Sequence, residues 1–444
     1  MTSRSPIRGA SAWLERWGPL LPLFLAEFVL WVGFGALLPV MPIYFTQNGV
    51  DLALLGVIVA AWPAARLFTE PVFGVIADRT RRVPLLIIGL LVSGAAIGLS
   101  LVFVGALPFL ILRAVSGVGT AIYDPAARGY VADATPPGRR GEAFGLYGAS
   151  QMGGILLGPA IGGLGAAYFG GVEFAFLFSA LASLVAAAAI AWKVKERPHL
   201  HRASEVPPTS ITEFPGQGLT VDTDAASDVD ADAPGSGRMD APASLFNRLL
   251  IAALILNFGG FFSGGVYEVI WSLFLTSRGG GLDLVGLTFA IFGGVVLIAS
   301  PIAGRIVDRR GGYGFIVVGI LAIGAASLIY PFLAAPLMVV PVITMEAAGF
   351  AISNPAIFAV VAVGSPRGRS STAQGIYGAA GTFGTILASL MAGYLASIDI
   401  RYPFFVVAVV VVVVLALGLA VGGRRLREVG RPIRDPVGSP VAPG

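Results

Sequence analysis

Twelve long apolar segments constrain the fold of this chain more than any other feature of its sequence. Each is near or above the ~20 residues that a helix needs to cross the hydrocarbon core of a membrane. They lie at residues 20–45, 52–77, 84–104, 107–131, 141–168, 172–192, 246–275, 282–306, 314–334, 336–361, 370–397 and 401–422, numbered here as spans 1 to 12. Only 12% of the 444 residues are charged and the mean hydropathy is +0.84, so the sequence predicts an all-α membrane protein.

The positions of lysine and arginine predict how the spans are oriented. If both termini are cytoplasmic, only Arg278 and Arg401 of the 29 basic residues lie in loops on the opposite side. Four more lie within spans or at their edges: Arg66, Arg113, Arg128 and Arg305. By the positive-inside rule we expect a multi-pass protein of the cell (plasma) membrane with cytoplasmic N- and C-termini. The same rule accounts for the arginine clusters, so we expect the lipid bilayer as a partner and no nucleic acid.

A polar segment divides the spans into two groups of six. Residues 194–244 include VDTDAASDVDAD and predict a disordered acidic cytoplasmic linker between two six-helix bundles, 20–193 and 245–423. Residues 1–19 and 424–444 are predicted cytoplasmic tails. At a constant offset of 230 the halves repeat several residues: Gly74 with Gly304, Asp78 with Asp308, Arg79 with Arg309, Pro125 with Pro355, and Tyr147 with Tyr377. Parallel six-helix repeats are typical of transporters that bind substrate between their halves.

Other classes of activity lack the residues that they need. The chain has no cysteine, which excludes disulfides and thiolate metal sites. Its two lysines, Lys193 and Lys195, do not follow glycine, so there is no Walker A phosphate loop. No span contains a histidine, and neither His-Glu-x-x-His nor Gly-x-Ser-x-Gly occurs. We therefore expect neither an enzyme nor a bound cofactor or metal, and an ion gradient as the source of energy.

Short motifs in the loops and spans narrow the family. GVIADRTRRVPLL follows span 2, and a weaker copy, GRIVDRRGG, follows span 8. LLPVMPIY lies in span 1, Arg113-x-x-x-Gly117-x-Gly119 in span 4, and Gly154-x-x-x-Gly158-Pro159-x-x-Gly162-Gly163 in span 5. Together these motifs resemble the twelve-helix drug:proton antiporters of the major facilitator superfamily, and the resemblance covers all twelve spans. The resemblance implies the major facilitator fold and alternating access.

The resemblance also implies roles for two of the motifs. The loop after span 2 would be a cytoplasmic gate whose charges contact an acidic residue at the end of span 4, here Asp133. The predicted gate residues are Gly74, Asp78, Arg79, Arg82, Asp133, Asp308 and Arg309. The predicted antiporter motif is Gly154, Gly158, Pro159, Gly162 and Gly163. Its glycines form a smooth face, which the resemblance places against the opposite half, while Pro159 weakens the helix beside them. Packing of small residues alone gives a similar pattern, so this interpretation stays open.

Ionisable residues inside the spans are functional candidates, because a charge at mid-bilayer costs at least ~2.5 kcal/mol. They are Glu27, Arg66, Glu70, Arg113, Asp124, Arg128, Glu268 and Glu346. We predict that Glu27 and Asp124 form a proton-coupling cluster with Arg113; the alternative is a static buried ion pair. Arg66 and Glu70 are four residues apart on one helix, which favours a local pair.

Two further carboxylates lie in the C-terminal half. Glu346 has no basic residue at comparable depth in its own half, so it must be protonated, reach Arg66 or Arg113 across the cavity, or meet a cationic substrate. Glu268 lies closer to the outer surface, where simple hydration is the alternative to a functional role.

Aromatic side chains near these charges suggest the kind of substrate. The candidates for a cavity lining are Trp31, Phe34, Tyr123, Phe258, Phe262, Tyr267, Trp271 and Phe350. An aromatic cavity with a few carboxylates favours amphipathic and cationic organic compounds. Together with the resemblance to drug:proton antiporters, this cavity implies export of such small molecules in exchange for protons, and we expect a monomer. Proton symport of a metabolite and lipid translocation on the same fold remain alternatives.

Overall fold

The computed structural model describes residues 16–136, 139–196, 244–366 and 370–429. Most of the predicted linker and the outer parts of both predicted tails therefore lie outside the described residues. Within the described ranges all regular structure is helical, and eleven helices are long and apolar enough to cross a membrane. A bent pair of helices at the start of the chain makes a twelfth span. The predicted all-α membrane fold is confirmed.

The helices follow the predicted spans closely, and we number them α1 to α12 to match. They are α1, Leu21–Leu37 with Met41–Gln47; α2, Leu52–Arg79; α3, Arg82–Leu99; α4, Ala106–Ala134; α5, Arg140–Phe169; α6, Glu173–Lys193; α7, Arg248–Ser277; α8, Leu282–Arg310; α9, Tyr313–Ile329; α10, Val339–Gly364; α11, Ser370–Ile398; and α12, Tyr402–Glu428. The last of these, α12, is kinked at Gly423, whose φ of 54° and ψ of −139° are not helical.

A break in α1 follows from the prolines of the LLPVMPIY motif. The two segments of α1 meet at an angle of 46°. Pro39 and Pro42 have no backbone N–H, so two hydrogen bonds of a continuous helix cannot form across this stretch. The backbone instead makes tighter bonds, from Leu38 N–H to the Gly35 carbonyl and from Val40 N–H to the Leu37 carbonyl. The second segment of α1 packs against α7 of the other half.

Each half is a bundle whose helices pack mainly on one another. In the N-terminal half α1 packs on α5 and α6, while α2 and α3 pack on α4; the C-terminal half repeats the arrangement with α7 on α11 and α12. A Cβ placed on Gly74 would lie 4.0 Å from the Pro125 Cβ, and one on Gly304 would lie 4.0 Å from the Pro355 Cβ. The sequence repeat at an offset of 230 is therefore also a repeat in the packing.

The two halves meet through α2 against α11 and α5 against α8. We call the end of the bundle that carries residues 16, 196, 244 and 429 the linker end, and the opposite end the far end. Close backbone contacts between the halves lie toward the far end. A Cβ on Gly393 would lie 2.7 Å from the Gly56 Cα, and one on Gly286 would lie 3.0 Å from the Gly163 Cα. Glycine at these positions lets the helices approach without side chains between them.

Candidate functional site

Glu27 is a fully buried carboxylate held by neutral hydrogen-bond donors. The indole N–H of Trp31, one turn along α1, donates to its Oε1 at 2.8 Å. The hydroxyl of Tyr123 on α4 donates to Oε2 at 2.7 Å, and the Gln151 amide on α5 donates to Oε1 at 3.4 Å. Three helices of the N-terminal half therefore converge on one acidic group, and none of these three donors carries a charge.

A second polar cluster lies next to Tyr123 and joins α2 to α4. Arg66 makes ion pairs with Asp124 and with Glu70, the latter at 3.1 Å. Arg128 pairs with Glu70 at 3.1 Å and with Asp124 at 3.6 Å. The predicted local pair of Arg66 and Glu70 is confirmed, but it is part of a larger network. Two carboxylates face two guanidinium groups, so the charges of this network balance.

The predicted cluster of Glu27 and Asp124 with Arg113 is wrong with respect to Arg113. This arginine pairs instead with Glu268 on α7, at 2.8 Å. Eleven residues separate Arg113 from Asp124 on one helix, which is roughly 16 Å along its axis. Arg113 lies toward the far end of α4, whereas Glu27 lies toward the linker end of α1. Counting residues from the ends of the predicted spans would already have shown that Arg113 and Glu27 lie at different depths in the membrane.

The pair of Arg113 and Glu268 connects the two halves of the molecule. Glu268 keeps 18% of its side-chain surface exposed, but its carboxylate is paired, so hydration alone does not describe it. Among ion pairs formed between described residues, this one alone crosses from one half to the other. The Arg113 guanidinium also lies over the rings of Phe34 and Trp62, at 5.8 and 5.6 Å from their centroids.

Trp62 is a site residue that the sequence interpretation missed. Its ring lies between two arginines, with the Arg66 guanidinium 4.8 Å and the Arg113 guanidinium 5.6 Å from its centroid. Phe34 packs on it at 4.8 Å. The available signal was its position four residues before Arg66 on α2, which places both side chains on one helix face.

Space opens between the halves on the linker side of the Arg113–Glu268 pair. Gly264 and Gly260 precede Glu268 by one and two helical turns, so all three lie on the same face of α7. No atom lies within 4 Å of the place where a Cβ would stand on either glycine. This face of α7 therefore borders open space, and Glu268 on the same face pairs with Arg113 of the other half on the far-end side of that space.

Glu346 is buried in an aromatic environment within the C-terminal half. Only 3% of its surface is exposed, and the Tyr330 hydroxyl donates to its Oε2 at 2.6 Å. Tyr330 is in ring contact with Tyr267, Trp271 and Phe404. The predicted alternative in which Glu346 reaches Arg66 or Arg113 is wrong, because those arginines are paired elsewhere.

The predicted cavity aromatics divide into two groups. Phe34, Phe258, Tyr267 and Phe350 are partly exposed. Trp31, Tyr123, Phe262 and Trp271 are buried, so they do not line an open cavity in this structure. Trp31 and Tyr123 bind Glu27, and the indole N–H of Trp271 donates to Thr288 at 3.0 Å. Buried polar groups need such partners, which explains their inward position.

The predicted gate lies at the linker end of the N-terminal half. Arg82 pairs with Asp133 at 2.9 Å and with Asp78 at 3.6 Å, so the expected contact between the loop after α2 and the end of α4 is present. The carboxylate of Glu196 accepts the backbone N–H groups of Arg82 and Val83 at 3.1 and 3.0 Å, and thus caps α3.

The remaining gate candidates lie at the surface or outside the described side chains. Arg79 and Arg309 are exposed, and Gly74 packs near Pro125. The side chain of Asp308 is outside the described part of the chain.

The glycine face of the antiporter motif packs within its own half. A Cβ on Gly154 would lie 2.6 Å from the Phe28 carbonyl oxygen, and one on Gly158 would lie 2.7 Å from the Gly35 Cα, both on α1. Gly162 likewise contacts α1. The expectation that this face meets the opposite half is therefore wrong for these three glycines. Gly163 lies on a different face of α5 and contacts Gly286 of α8, in the opposite half.

Comparison with known proteins identifies the family. A family model described as Major Facilitator Superfamily matches residues 23–378 and 253–441. The chain belongs to the major facilitator superfamily. The fold, the twelve spans and the two repeats described above are those of a major facilitator transporter, which moves small molecules across a membrane. The match therefore indicates a transporter rather than an enzyme.

Two curated proteins that are similar to this chain are named as drug-resistance proteins. Multidrug resistance protein 2 of Bacillus subtilis (strain 168) is 24% identical over 403 residues, which cover 88% of this chain and 92% of the relative. Quinolone resistance protein NorA of Staphylococcus aureus (strain MRSA252) is 28% identical over 141 residues, which are 32% of this chain and 36% of the relative.

Solved major facilitator structures share the fold over nearly the whole chain. A bacterial homologue of the human lysosomal transporter Spinster, in an inward-facing and occupied conformation, has a TM-score of 0.71 at 14% identity and covers 92% of this chain and 97% of its own. The nucleoside transporter NupG has a TM-score of 0.67 at 14% identity, with 90% and 99% covered. Likenesses at this identity concern the fold alone.

Proposed function

We propose that this chain exports amphipathic small molecules, including organic cations, in exchange for protons. The observation that carries the proposal is Glu27, a carboxylate buried at membrane depth whose hydrogen-bond donors are neutral. Such a group binds and releases a proton at lower cost than a carboxylate fixed to arginine, because no cation holds it in the charged form. The similarity to multidrug and quinolone resistance proteins supports export.

The proposal places the linker end on the cytoplasmic side of the plasma membrane, and the protein acts as a monomer. With this orientation, the two halves touch at the far end, and open space lies near Gly260 and Gly264, closer to the cytoplasm. This arrangement corresponds to an inward-facing state. Substrate enters from the cytoplasm and lies between the aromatic and charged residues of the two halves, near Phe34 and Trp62. Rocking of the halves then opens the far end.

The proposed exchange uses the link between Glu27 and the α2–α4 network. Tyr123 holds Glu27, and its neighbour Asp124 holds Arg66 and Arg128. A proton that leaves Glu27 creates a negative charge in this part of the bundle. A cationic substrate balances that charge. When a proton binds Glu27 again, the electrostatic attraction for the cation is lost and the substrate is released.

The test uses purified protein in lipid vesicles with an imposed pH gradient and ethidium as the transported probe. Antiport accumulates ethidium on the acidic side and symport on the alkaline side, whichever way the protein is inserted. We expect accumulation on the acidic side, and its loss in Glu27→Gln. The matched control is Glu142→Gln, whose carboxylate is 47% exposed at the linker end. Accumulation on the alkaline side, or an unchanged pH effect in Glu27→Gln, contradicts the proposal.

A further inference from the structure

The spans contain more carboxylates than guanidinium groups. Among described residues, eight ionisable acids and arginines lie six or more residues from either end of their helix. Five are acidic and three are basic: Glu27, Glu70, Asp124, Glu268 and Glu346, with Arg66, Arg113 and Arg128. If all eight were ionised, the interior of the membrane would carry two uncompensated negative charges.

Each arginine is already assigned to a carboxylate. Arg113 pairs with Glu268, and Arg66 and Arg128 form the balanced network with Glu70 and Asp124. The two acids that remain are Glu27 in the N-terminal half and Glu346 in the C-terminal half. Both are buried, with 0% and 3% of their surface exposed.

The groups that face Glu27 make it a suitable proton carrier. Trp31, Tyr123 and Gln151 bind it, and Tyr147 of α5 also lies near it. Asp124 and Arg128 of α4 also lie near it, but their charges are engaged with the α2–α4 network. A tyrosine hydroxyl can accept a hydrogen bond from a neutral carboxyl group, whereas a guanidinium can only donate.

The groups that face Glu346 lead to the same conclusion. Its titratable neighbours are Tyr330, which binds it, and Tyr267 of α7. Tyr267 is partly exposed, but Tyr330 is fully buried and Glu346 itself is 3% exposed, so an organic cation does not reach the carboxyl group in this structure. Of the three explanations open at the outset for Glu346, protonation is the one that fits this sealed aromatic environment.

We propose that the inward-facing chain holds two protons within the membrane, one on Glu27 and one on Glu346. Each half thus carries one neutral carboxyl group bound to a tyrosine hydroxyl. The inference rests on the proposed function for what the protons do, but the protonation itself is independent of any substrate. It also gives the C-terminal half a proton site of its own, far from the charged network of the N-terminal half.

Infrared spectroscopy of the purified full-length chain at neutral pH tests the inference directly. Protonated carboxyl groups absorb at a frequency where ionised carboxylates do not. We expect a wild-type band of which Glu27→Gln and Glu346→Gln each remove about half, and which the double variant loses. The matched controls are Glu70→Gln and Glu268→Gln, which remove paired carboxylates and leave the band unchanged.

The outcomes separate this inference from the proposed function. Absence of the band in the wild-type protein overturns the inference without reference to any variant. Loss of band intensity in the controls, or none in Glu27→Gln or Glu346→Gln, also overturns it; size-exclusion chromatography confirms that each variant is folded. If the band behaves as expected while the vesicles show no proton-driven ethidium movement, the proton sites stand and the proposed antiport fails.

Discussion

At the scale of single residues, the lack of a side chain at Gly129 makes room for the charged end of Arg82. The guanidinium of Arg82 occupies the space where a Cβ on Gly129 would be, on the way to Asp133. The corresponding position in the other half is Ala359, and Arg82 corresponds there to Gly312. This explains why one half has glycine and the other alanine at this position. The C-terminal half has no arginine at residue 312 that would need the space of the Ala359 side chain.

Gly129→Ala should therefore displace Arg82 and break its contact with Asp133. Overpacking at such a site costs about 1–3 kcal/mol, and we expect a lower midpoint of thermal unfolding for the purified protein. The matched control is Ala359→Gly, which should cost no more than about 1 kcal/mol through helix propensity. An unchanged midpoint in Gly129→Ala would show that the arginine has room elsewhere.

The family resemblance implied Asp133 as the partner of the gate, but Gly129 and Glu196 were not predicted. In the resembling family the charges of this loop contact an acidic residue at the end of α4, which is how Asp133 was predicted. Gly129 could not be recognised in this way, because a glycine inside an apolar helix is explained equally well by close packing of helices. Glu196 follows α6, and only the tertiary fold brings it to the first turn of α3.

At the scale of helices, α5 has two glycine surfaces with different neighbours. Gly158 packs on α1 within the N-terminal half, and Gly163 packs on α8 of the other half. The sequence predicts a smooth helix face but not its partner, because spacing gives the direction of a face only relative to its own helix. This is why the predicted packing of the antiporter motif was wrong.

Alanine at these two positions should have separable effects. In Gly158→Ala the new Cβ lies 2.5 Å from the Val32 carbonyl oxygen, so we expect a loss of about 1–3 kcal/mol in the stability of the purified protein. In Gly163→Ala the new Cβ lies 2.7 Å from the Gly286 backbone nitrogen, across the halves. We expect this variant to favour separation at the far end with little change in unfolding temperature. Equal loss of stability in both variants would contradict the assignment.

The loop between α11 and α12 provides a pH-insensitive reference at the far end. Hydrogen bonds from the Arg401 side chain hold the pKa of Asp399 at about 2, below its usual 3.8. A carboxyl group with a lowered pKa loses its charge only as pH falls through that value. Mild acidification should therefore leave this pair charged, and Asp399→Asn should transport ethidium with the wild-type pH profile. A shifted profile would place a pH-sensing role in this loop.

At the scale of the whole molecule, the Arg113–Glu268 pair holds the far end together. Glu268→Gln removes a hydrogen bond between charged groups, which contributes about 1.5–3 kcal/mol, and should shift the equilibrium toward outward-facing by at least about tenfold. Because the chain has no cysteine, Val102→Cys and Leu337→Cys introduce a unique pair of sites for spin labels on exposed residues near the far end. The measured distance between the labels should lengthen in Glu268→Gln. An unchanged distance distribution would show that the pair does not control closure.

Much of this architecture is predictable from the sequence. The lengths of the apolar segments predict the twelve helices, and the sequence repeat at an offset of 230 predicts two similar halves. The pairing of charges is less predictable, because Arg113 and Glu268 are 155 residues apart and meet only when the halves do. The break in α1 is visible in Pro39 and Pro42, although the apolar segment alone suggests one straight span.

The glycine contacts between the halves have a consequence for the speed of the transport cycle. At Gly56 with Gly393, and at Gly163 with Gly286, backbone meets backbone with no interlocked side chains. At these two contacts the helices can separate without any rotamer change, whereas at Gly293 the Leu156 side chain packs between α5 and α8. We therefore expect the barrier to opening to depend strongly on breaking the Arg113–Glu268 pair, which, among the ion pairs of the described residues, joins the two halves. Turnover should accordingly respond more to the charge at residue 268 than to the bulk of the surrounding seam.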